Sequence, residues 1–437
     1  MTRERVIFHL SLIIQIMKVL FLNQCFYPDV VSTAQHLTDL ALELAHEGHH
    51  VTVVASSRGY DDPSKKFARR EVWKGINVRR IRCTGLGKRA RWRRAIDFGS
   101  FLVSCATRVI LLPRFDLVVA MTSPPLISFL AALLVRLKGG RLLFWVMDLN
   151  PDEAIAAGWL RKQSVVARVL DWLLLYSLKR AETVIVLDTF VKQRIVDKGI
   201  AGERIVVIPP WSHDDTIHYD QAGRLKFRAT HNLTLKYVVM YSGNHSPCHP
   251  LDTLLDAARA LSSHPDIAFC FVGGGSELEK VKSFAARHSL QNVLCLPYQP
   301  MSELAGSLSA ADMHVVVMGE PFVGIVHPCK IYNILLIGVP ALYIGPAKSH
   351  ITEIVSQMSE AGLAYGAMHG DVEAVTRHIL AGASGSYRRL DERASDPPAL
   401  AFSKQAVLPR LIEALQPVCD SSALYDAAVA DSNAHSL

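Results

Sequence analysis

The sequence predicts an α/β protein made of two open, doubly wound parallel-sheet halves. Short apolar runs of strand length alternate along almost the whole chain with longer segments whose apolar residues recur at helical spacing. At 437 residues the chain is too long for one ordinary domain, and two domains of about 200 residues are the natural division. The alternation breaks once, from Trp211 to Lys236, in a polar stretch with no sustained period that reads as a connection.

Residues 1–16 have a basic start and an apolar middle, like a signal peptide or anchor, but no small-residue cleavage site follows. They read as an extension upstream of the true start or as a weak amphipathic anchor. From Lys18, KVLFLN is a first strand, and Ser32 caps a helix with apolar residues at Leu37, Leu40, Ala41 and Leu44. Gly48 ends that helix and HHVTVVAS is the next strand, a βαβ opening that requires a right-handed crossover. INVRRIRC, a basic loop, an apolar helix near Phe98–Leu112 and the strand DLVVAM follow. The helix TSPPLISFLAALLVRL and the strands RLLFWVMDLNPD, ETVIVLD and IVVIPP complete the half.

Ligands of such sheets bind at the carboxyl ends of the strands. That directs attention to Asn23, Tyr27, Asp29 and Ser32 after the first strand, and to Asp148, Asn150 and Asp152 after FWVM. The first loop has no glycine, which argues against an ordinary NAD enzyme with its G-x-G-x-x-G turn.

The second half opens on YVVMYSGN, whose loop leads to a helix starting near Pro250 and ringed by Asn244, His245 and His249. Pro247 keeps the two histidines from sharing one helical face as zinc ligands, so donation to a phosphate is the better reading. IAFCFVGGG is a strand, SELEKVKSFAARH a helix opened by a Ser276/Glu279 capping box, and NVLCLPYQP, SELAGSLSAAD and MHVVVM continue the alternation. Residues 401–418 read as a last helix and 419–437 as a frayed tail.

The stretch Met318–Gly345 is a loop, a short helix and a buried strand. Pro328 suits a helix start, and Gly338 with Pro340 marks its end. Lys330 and Asn333, three apart, share one face near the helix N-terminus, which suits an anionic ligand.

The net charge of +7 is unevenly placed: Lys88, Arg89, Arg91, Arg93 and Arg94 crowd around Trp92. Such a cluster suits nucleic acid, an anionic membrane surface or a solvated loop. The eight cysteines show no C-x-x-C pattern, as expected of reduced thiols in a cytoplasm. The longest uncharged run, Leu117–Val135, is split by Pro124–Pro125, so neither piece reaches the roughly 20 residues of a bilayer span.

Five segments, KVLFLNQCFYPDVVSTAQHLTDLALELAHEGHHVTVV, FWVMDLNPD, YSGNHSPCHPLDTLLDAA, FVGGGSELEK with LPYQPMSEL and AADMHVVVM, and PCKIYNILLIGVP, occur in an order and spacing that resembles family-4 glycosyltransferases of GT-B fold. The likeness runs from Met17 to about Val418 and is strongest to the colanic-acid and O-antigen type. It implies two Rossmann-like domains across a cleft: 17–210 for the acceptor, 211–236 as linker, and 237–400 for the nucleotide-sugar, with the helix 401–418 able to cross back. It implies retaining transfer from a UDP- or GDP-linked sugar to a lipid-linked or oligosaccharide acceptor. The setting would be the cytoplasmic face of the plasma membrane, with an anionic membrane surface, no nucleic acid and no metal.

By motif match Lys330 would hold the donor diphosphate, and Asp148, at a strand end, is the candidate second catalytic group. Asn244, His245, Asn333, Tyr298 and Gly324 would bind the donor, and Tyr27, Asp29, Ser32 and Asn150 would face the acceptor. Asn333 stands where many members have the second Glu of an E-x7-E pair, and Ile325 where they have the first. Met147 stands where many have a His, Val31–Ser32 replaces the usual double glycine, and SGNHSPCH lacks the usual Arg and Lys. The alternatives are a GT-B sugar-nucleotide epimerase and a catalytically silent binding subunit.

Overall fold

Parallel strands covered on both faces by helices account for most of the apolar runs. The computed structural model describes residues 16–60, 62–87, 91–212, 216–360, 364–387 and 398–416. Its packing divides the chain into two compact units, one up to Phe144 and one from Trp145 onward.

The first unit holds β1 (Lys18–Leu22), α1 (Ser32–His46), β2 (His50–Ser56), β3 (Arg70–Trp73) and β4 (Ile76–Ile81). It continues with α2 (Arg91–Ile110), β5 (Leu117–Ala120) and α3 (Ile127–Lys138), and the division falls within β6 (Arg141–Val146). Val19, Leu20, Phe21 and Leu22 are fully buried where β1 pairs in parallel with β2 and β5. The antiparallel hairpin of β3 and β4 has no counterpart in the sequence reading. Lys74 and Gly75 turn it, both at positive φ, as a two-residue hairpin requires. The charged edge strand REVW carries too little apolar signal to be seen.

Two local expectations are corrected. Ser32 does not cap α1: Val31 takes the cap position, and Ser32 is the first helical residue. The basic residues Arg91, Arg93 and Arg94 open α2 rather than occupying a loop. Lys88 and Arg89 lie outside the described residues, as do nearly all of the N-terminal extension and the tail with Cys419.

The second unit begins with α4 (Asp152–Ala156), α5 (Val165–Arg180), β7 (Thr183–Val186), α6 (Thr189–Asp197), β8 (Ile205–Val207) and α7 (Gln221–Thr230). Next come β9 (Tyr237–Asn244), α8 (Asp252–Ala260), β10 (Ile267–Gly274), α9 (Leu278–Arg287), β11 (Val293–Leu296), α10 (Met301–Ser309) and β12 (Met313–Val317). Last are α11 (Lys330–Ile337), β13 (Ala341–Ile344), α12 (His350–Glu360), β14 (Ala364–Ala367), α13 (Val372–Ala383) and α14 (Lys404–Leu415). The sheet orders are β3-β4-β2-β1-β5-β6-β7-β8 and β11-β10-β9-β12-β13-β14.

Strand alternation divides the second sheet between two cores. Val239, Tyr241, Phe269 and Phe271 face α8 and α13, whereas Val238, Met240, Cys270 and Val272 face Phe227 and Leu308. Phe227 lies in α7, inside the polar stretch read as a connection. Asp220 caps α7 by accepting from the Gly223 N–H, and Gly223 meets Gly306 of α10 backbone to backbone. Arg224 and Arg228 pair with Asp312, fastening α7 to the start of β12. The Ser276/Glu279 box does not form, because Glu277 takes the cap position of α9 without a side-chain bond. The last helix is shorter than expected and is capped by Ser403. No disulfide joins the described cysteines.

Candidate active site

At the carboxyl end of β9 the chain turns at Gly243, whose φ of 131° is open to glycine and strained for other residues. Opposite lies the first turn of α11, which ends as the sequence predicts on Gly338 in the left-handed region. Lys330 reaches from α11 to this turn. A Cβ on Gly243 would stand 3.2 Å from the Lys330 Nζ, so only glycine leaves the ammonium its place. The two loops singled out in the sequence, after β9 and before α11, therefore do converge.

The Lys330 stem is partly exposed but its Nζ is fully buried, without a hydrogen-bond partner. It lies 3.5 Å above the centre of the Tyr241 ring. The ring face offsets part of the lost hydration, far less than an anion would. Burial accordingly lowers the Lys330 pKa to about 7. A buried cation with no carboxylate beside it is arranged for a charge that the protein does not supply.

His245 is fully buried with an unpartnered Nε2. Burial, reinforced by Lys330, lowers its pKa to about 4, so it stands at neutral pH as a neutral imidazole. His249, lowered to about 3 by burial and then by Lys330, has its Nδ1 2.7 Å from the Val317 carbonyl and ties the loop to β12. Asn244 is exposed at the tip of β9, against Gly275. Tyr298, exposed beyond β11, lies over Gly274, where a Cβ would come within 2.9 Å of its ring. Asn333 is half-buried one turn after Lys330. Gly324, at φ 69°, is pressed against the Phe190 carbonyl and the Arg194 guanidinium of α6, which gives that glycine a packing reason.

The Asp148 loop joins the same neighbourhood. The Leu149 N–H donates to the Ile325 carbonyl at 2.9 Å, and Asn150 Nδ2 donates to Glu153. Cys248, in the loop after β9, is raised to about 12 by burial, with Glu153 and Asp148 adding to it. Asp148 is thus within electrostatic reach of the β9 loop. Tyr27, Asp29 and Ser32 belong to the first unit. Tyr27 stacks on Trp73 at 4.1 Å, Asp29 accepts from the Tyr60 N–H, and the Ser32 hydroxyl is 3.3 Å from His36 Nδ1.

The sequence reading missed a buried cluster beside α11. Asp188 caps α6 through one carboxylate oxygen, accepting from the Val191 N–H at 2.8 Å. Its other oxygen accepts from His327 Nδ1 at 2.8 Å and lies 3.2 Å from His350 Nδ1. The Tyr332 hydroxyl is 2.7 Å from His327 Nε2, so a neutral His327 donates to Asp188 and accepts from Tyr332. Burial by itself would raise the Asp188 carboxyl, but the His327 bond and the His350 field outweigh it and hold it below its ordinary value. The three groups are close enough to surround one cation. However, the two imidazoles lie parallel at 4.0 Å, so their in-plane lone pairs do not meet at one ion. Through Tyr332 the cluster is hydrogen-bonded to α11.

A two-sheet α/β protein with a buried lysine at a strand-end helix terminus is what a sugar-nucleotide transferase of GT-B architecture presents. The chain matches the glycosyl transferase 4-like domain model over residues 33–211 and the glycosyl transferases group 1 model over 224–327. It is similar to a candidate colanic acid biosynthesis glycosyl transferase, WcaI, of Escherichia coli K12, with 23% identity over 77% of this chain and 86% of that one. Sucrose-phosphate synthase from Thermosynechococcus elongatus superposes with a TM-score of 0.70 at 17% identity, covering 95% of this chain and 100% of that chain. Anabaena Alr3699/HepE in complex with UDP-glucose gives 0.66 at 16% identity, covering 91% and 99%. The chain belongs to the family-4 glycosyltransferases and has the GT-B fold.

Proposed function

We propose that this glycosyltransferase moves a sugar, with retained anomeric configuration, from a UDP- or GDP-linked donor to a lipid-linked glycan in bacterial surface polysaccharide synthesis. The buried, unpartnered Lys330 ammonium carries this reading. It sits where a donor diphosphate would restore its missing counter-charge, and where charge grows as the nucleotide leaves. The α11 terminus adds its dipole to the same end. Asp148, within electrostatic reach of the loop that carries Cys248, is the carboxylate we assign to accept from the incoming hydroxyl. Asn333 takes a ribose hydroxyl, Tyr298 offers a ring to the base, and Tyr27, Asp29, Ser32 and Asn150 face the acceptor. The names of the relatives, one of colanic acid synthesis and one bound to UDP-glucose, support the donor and the pathway class.

The acceptor's membrane location is supported by surface chemistry. Trp92, Ile96, Val103 and Ile110 form an exposed stripe along α2, whose first turn is basic. Val165, Val166, Val169 and Trp172 do the same on α5, which ends in Lys179 and Arg180. Apolar stripes with cationic ends suit the face of an anionic bilayer. No helix of the described residues is long and apolar enough to cross a membrane.

Incubation with UDP- and GDP-linked hexoses and a polyprenyl-diphosphate-linked acceptor, read by mass spectrometry and by NMR of the new linkage, tests the reading. An α-linked product from an α-linked donor is expected, and an inverted linkage overturns the assigned stereochemistry. Donor binding should also take up a proton. Free Lys330 titrates at about 7, and a bound diphosphate raises that value. Uptake is therefore close to one proton at pH 8.5, about half at pH 7 and small at pH 6. Calorimetry in buffers of different ionisation enthalpy measures this, and Lys330→Gln should abolish it.

A further inference from the structure

Parallel sheets are usually covered by helices on both faces. At the amino-terminal edge of the first sheet, one face is open instead. Lys18 opposite His50, and Thr52 opposite Asn77, share that face with Arg79, two residues beyond Asn77. Val51, Val53 and Val78, which alternate with them, are buried on the other face. The five polar side chains line an open pocket with about 350 Å³ of water-accessible space, walled on one side by Leu112, Pro113 and Phe115 after α2. That is room for a small organic molecule. The pocket lies where the strands start, since Lys18 and His50 are the first residues of β1 and β2.

Charge on this face has one sign. Lys18, His50 and Arg79 bring three basic side chains to the pocket, and among the described residues no carboxylate lines it. Asp116, beside the wall, accepts from the Lys18 backbone N–H at 2.7 Å. Arg70 of β3 stands directly opposite Arg79 in the antiparallel ladder and adds a fourth basic group. Like charges directly opposite each other cost stability, a cost that an anion between them would relieve. Arg80, the next residue, shows the contrast: it points to the other face and pairs with Glu71. Among the described residues, the side chains of Lys18, His50, Thr52, Arg70, Asn77 and Arg79 make no hydrogen bond or ion pair. Charged side chains often guard an exposed edge strand. Lys18, His50 and Arg79 belong instead to β1, β2 and β4, interior strands that need no such guard.

We propose that this pocket binds a hydroxylated phosphate ester: Lys18, His50 and Arg79 take the phosphate, and Thr52 and Asn77 take hydroxyls of the body attached to it. Guanidinium and ammonium groups suit the several oxygens of a phosphate. Leu112 and Phe115 offer the carbon skeleton an apolar wall. A neutral sugar would leave the basic groups without a counter-charge, and an apolar ligand would cover Thr52 and Asn77 unpaired. No residue of this pocket belongs to the donor site, so it stands whether or not Lys330 binds a diphosphate. The ester has two possible sources, a free metabolite or a lipid headgroup. Val72, opposite Asn77, and Leu111 are exposed beside the pocket, where the chains of a lipid would meet the protein.

The full chain, saturated with UDP to fill the donor site, is titrated separately with glucose 6-phosphate, inorganic phosphate and glucose. Phosphatidylcholine vesicles with and without phosphatidylglycerol form a further arm. Arg79→Gln and Lys18→Gln should each weaken the phosphate-bearing probes by roughly tenfold to a hundredfold, while glucose binds neither parent nor variant. Asn77→Asp, at an exposed position where packing is not at stake, sets a carboxylate in the pocket and should weaken them at least as much. Thr52→Val should weaken glucose 6-phosphate and leave inorganic phosphate unchanged. Loss of glucose 6-phosphate binding in the pocket variants supports a free ester, and loss of phosphatidylglycerol-dependent vesicle binding alone supports a lipid headgroup. Loss of both supports recognition of the phosphate whatever carries it. A parent chain that binds none of the phosphate probes overturns the proposal, as do Arg79→Gln and Asn77→Asp variants that keep parental affinity for all of them. Lys330→Ala, titrated without UDP, separates the two sites: it should lose UDP and keep glucose 6-phosphate. Loss of glucose 6-phosphate in that variant would assign the phosphate to the donor site and overturn the pocket.

Discussion

Lys330→Met is expected to lower turnover by about a hundredfold to a thousandfold and, at the same time, to stabilise the fold near neutral pH. The loss follows from removing a preorganised cation from the point where the leaving diphosphate gathers charge. The gain follows from the cost of keeping a lysine there. Its folded pKa of about 7 lies below the 10.5 of an ordinary lysine. Between those values the unfolded chain binds the extra proton, so the stability of the native enzyme rises with pH across that window. A methionine of similar length has no such deficit. The variant's advantage should therefore be largest at pH 7 or below, on the order of a few kcal/mol, and should shrink by pH 9 to 10. Denaturant titrations at several pH values beside turnover assays decide it. A variant that loses activity and is also less stable at every pH would mean that Lys330 supports packing rather than ligand.

Asp188→Ala is expected to destabilise the second unit by about 2–4 kcal/mol. The α6 cap accounts for about 1 kcal/mol of this. The remainder comes from the His327 N–H left buried without an acceptor, a loss of about 1–3 kcal/mol. Because the native carboxyl titrates below its ordinary value of 3.8, its contribution is fully present above that pH. It fades as pH falls through the folded value, so the difference between variant and parent should narrow in acid. Asp188→Asn keeps an oxygen for the cap and loses the charge, and should fall between the two. Equal denaturation midpoints for parent and alanine variant would dismiss the cluster as a brace. Donor affinity should weaken along with stability, because Tyr332 links the cluster to the helix that carries Lys330.

The strands of the second sheet were legible because their two faces are both buried, which writes them as unbroken apolar runs such as YVVMYSGN and MHVVVM. The edge strand REVW and helix α7 were not. REVW is short and half charged, and α7 shows few apolar positions because its anchors are a Gly223–Gly306 backbone approach and two arginines on Asp312. These partners stand more than eighty residues away in the chain. The two capping errors have a similar origin. A hydroxyl near a helix start predicts a cap only if the entering backbone aims it at the free N–H groups, and at Ser32 and Ser276 it does not.

The sequence by itself determined the two-sheet α/β plan, the helix bounded by Pro328 and Gly338, and Lys330 as its distinctive cation. Those are consequences of local period, backbone restriction and residue type, all carried within a few neighbouring positions. Only the tertiary structure decided that the Lys330 ammonium is buried over Tyr241 without a counter-ion, and that His245 is neutral. It alone brought Asp188 to His327, 139 residues apart. Burial and charge depend on which distant side chains come to rest beside a group, and no window along the chain contains that information.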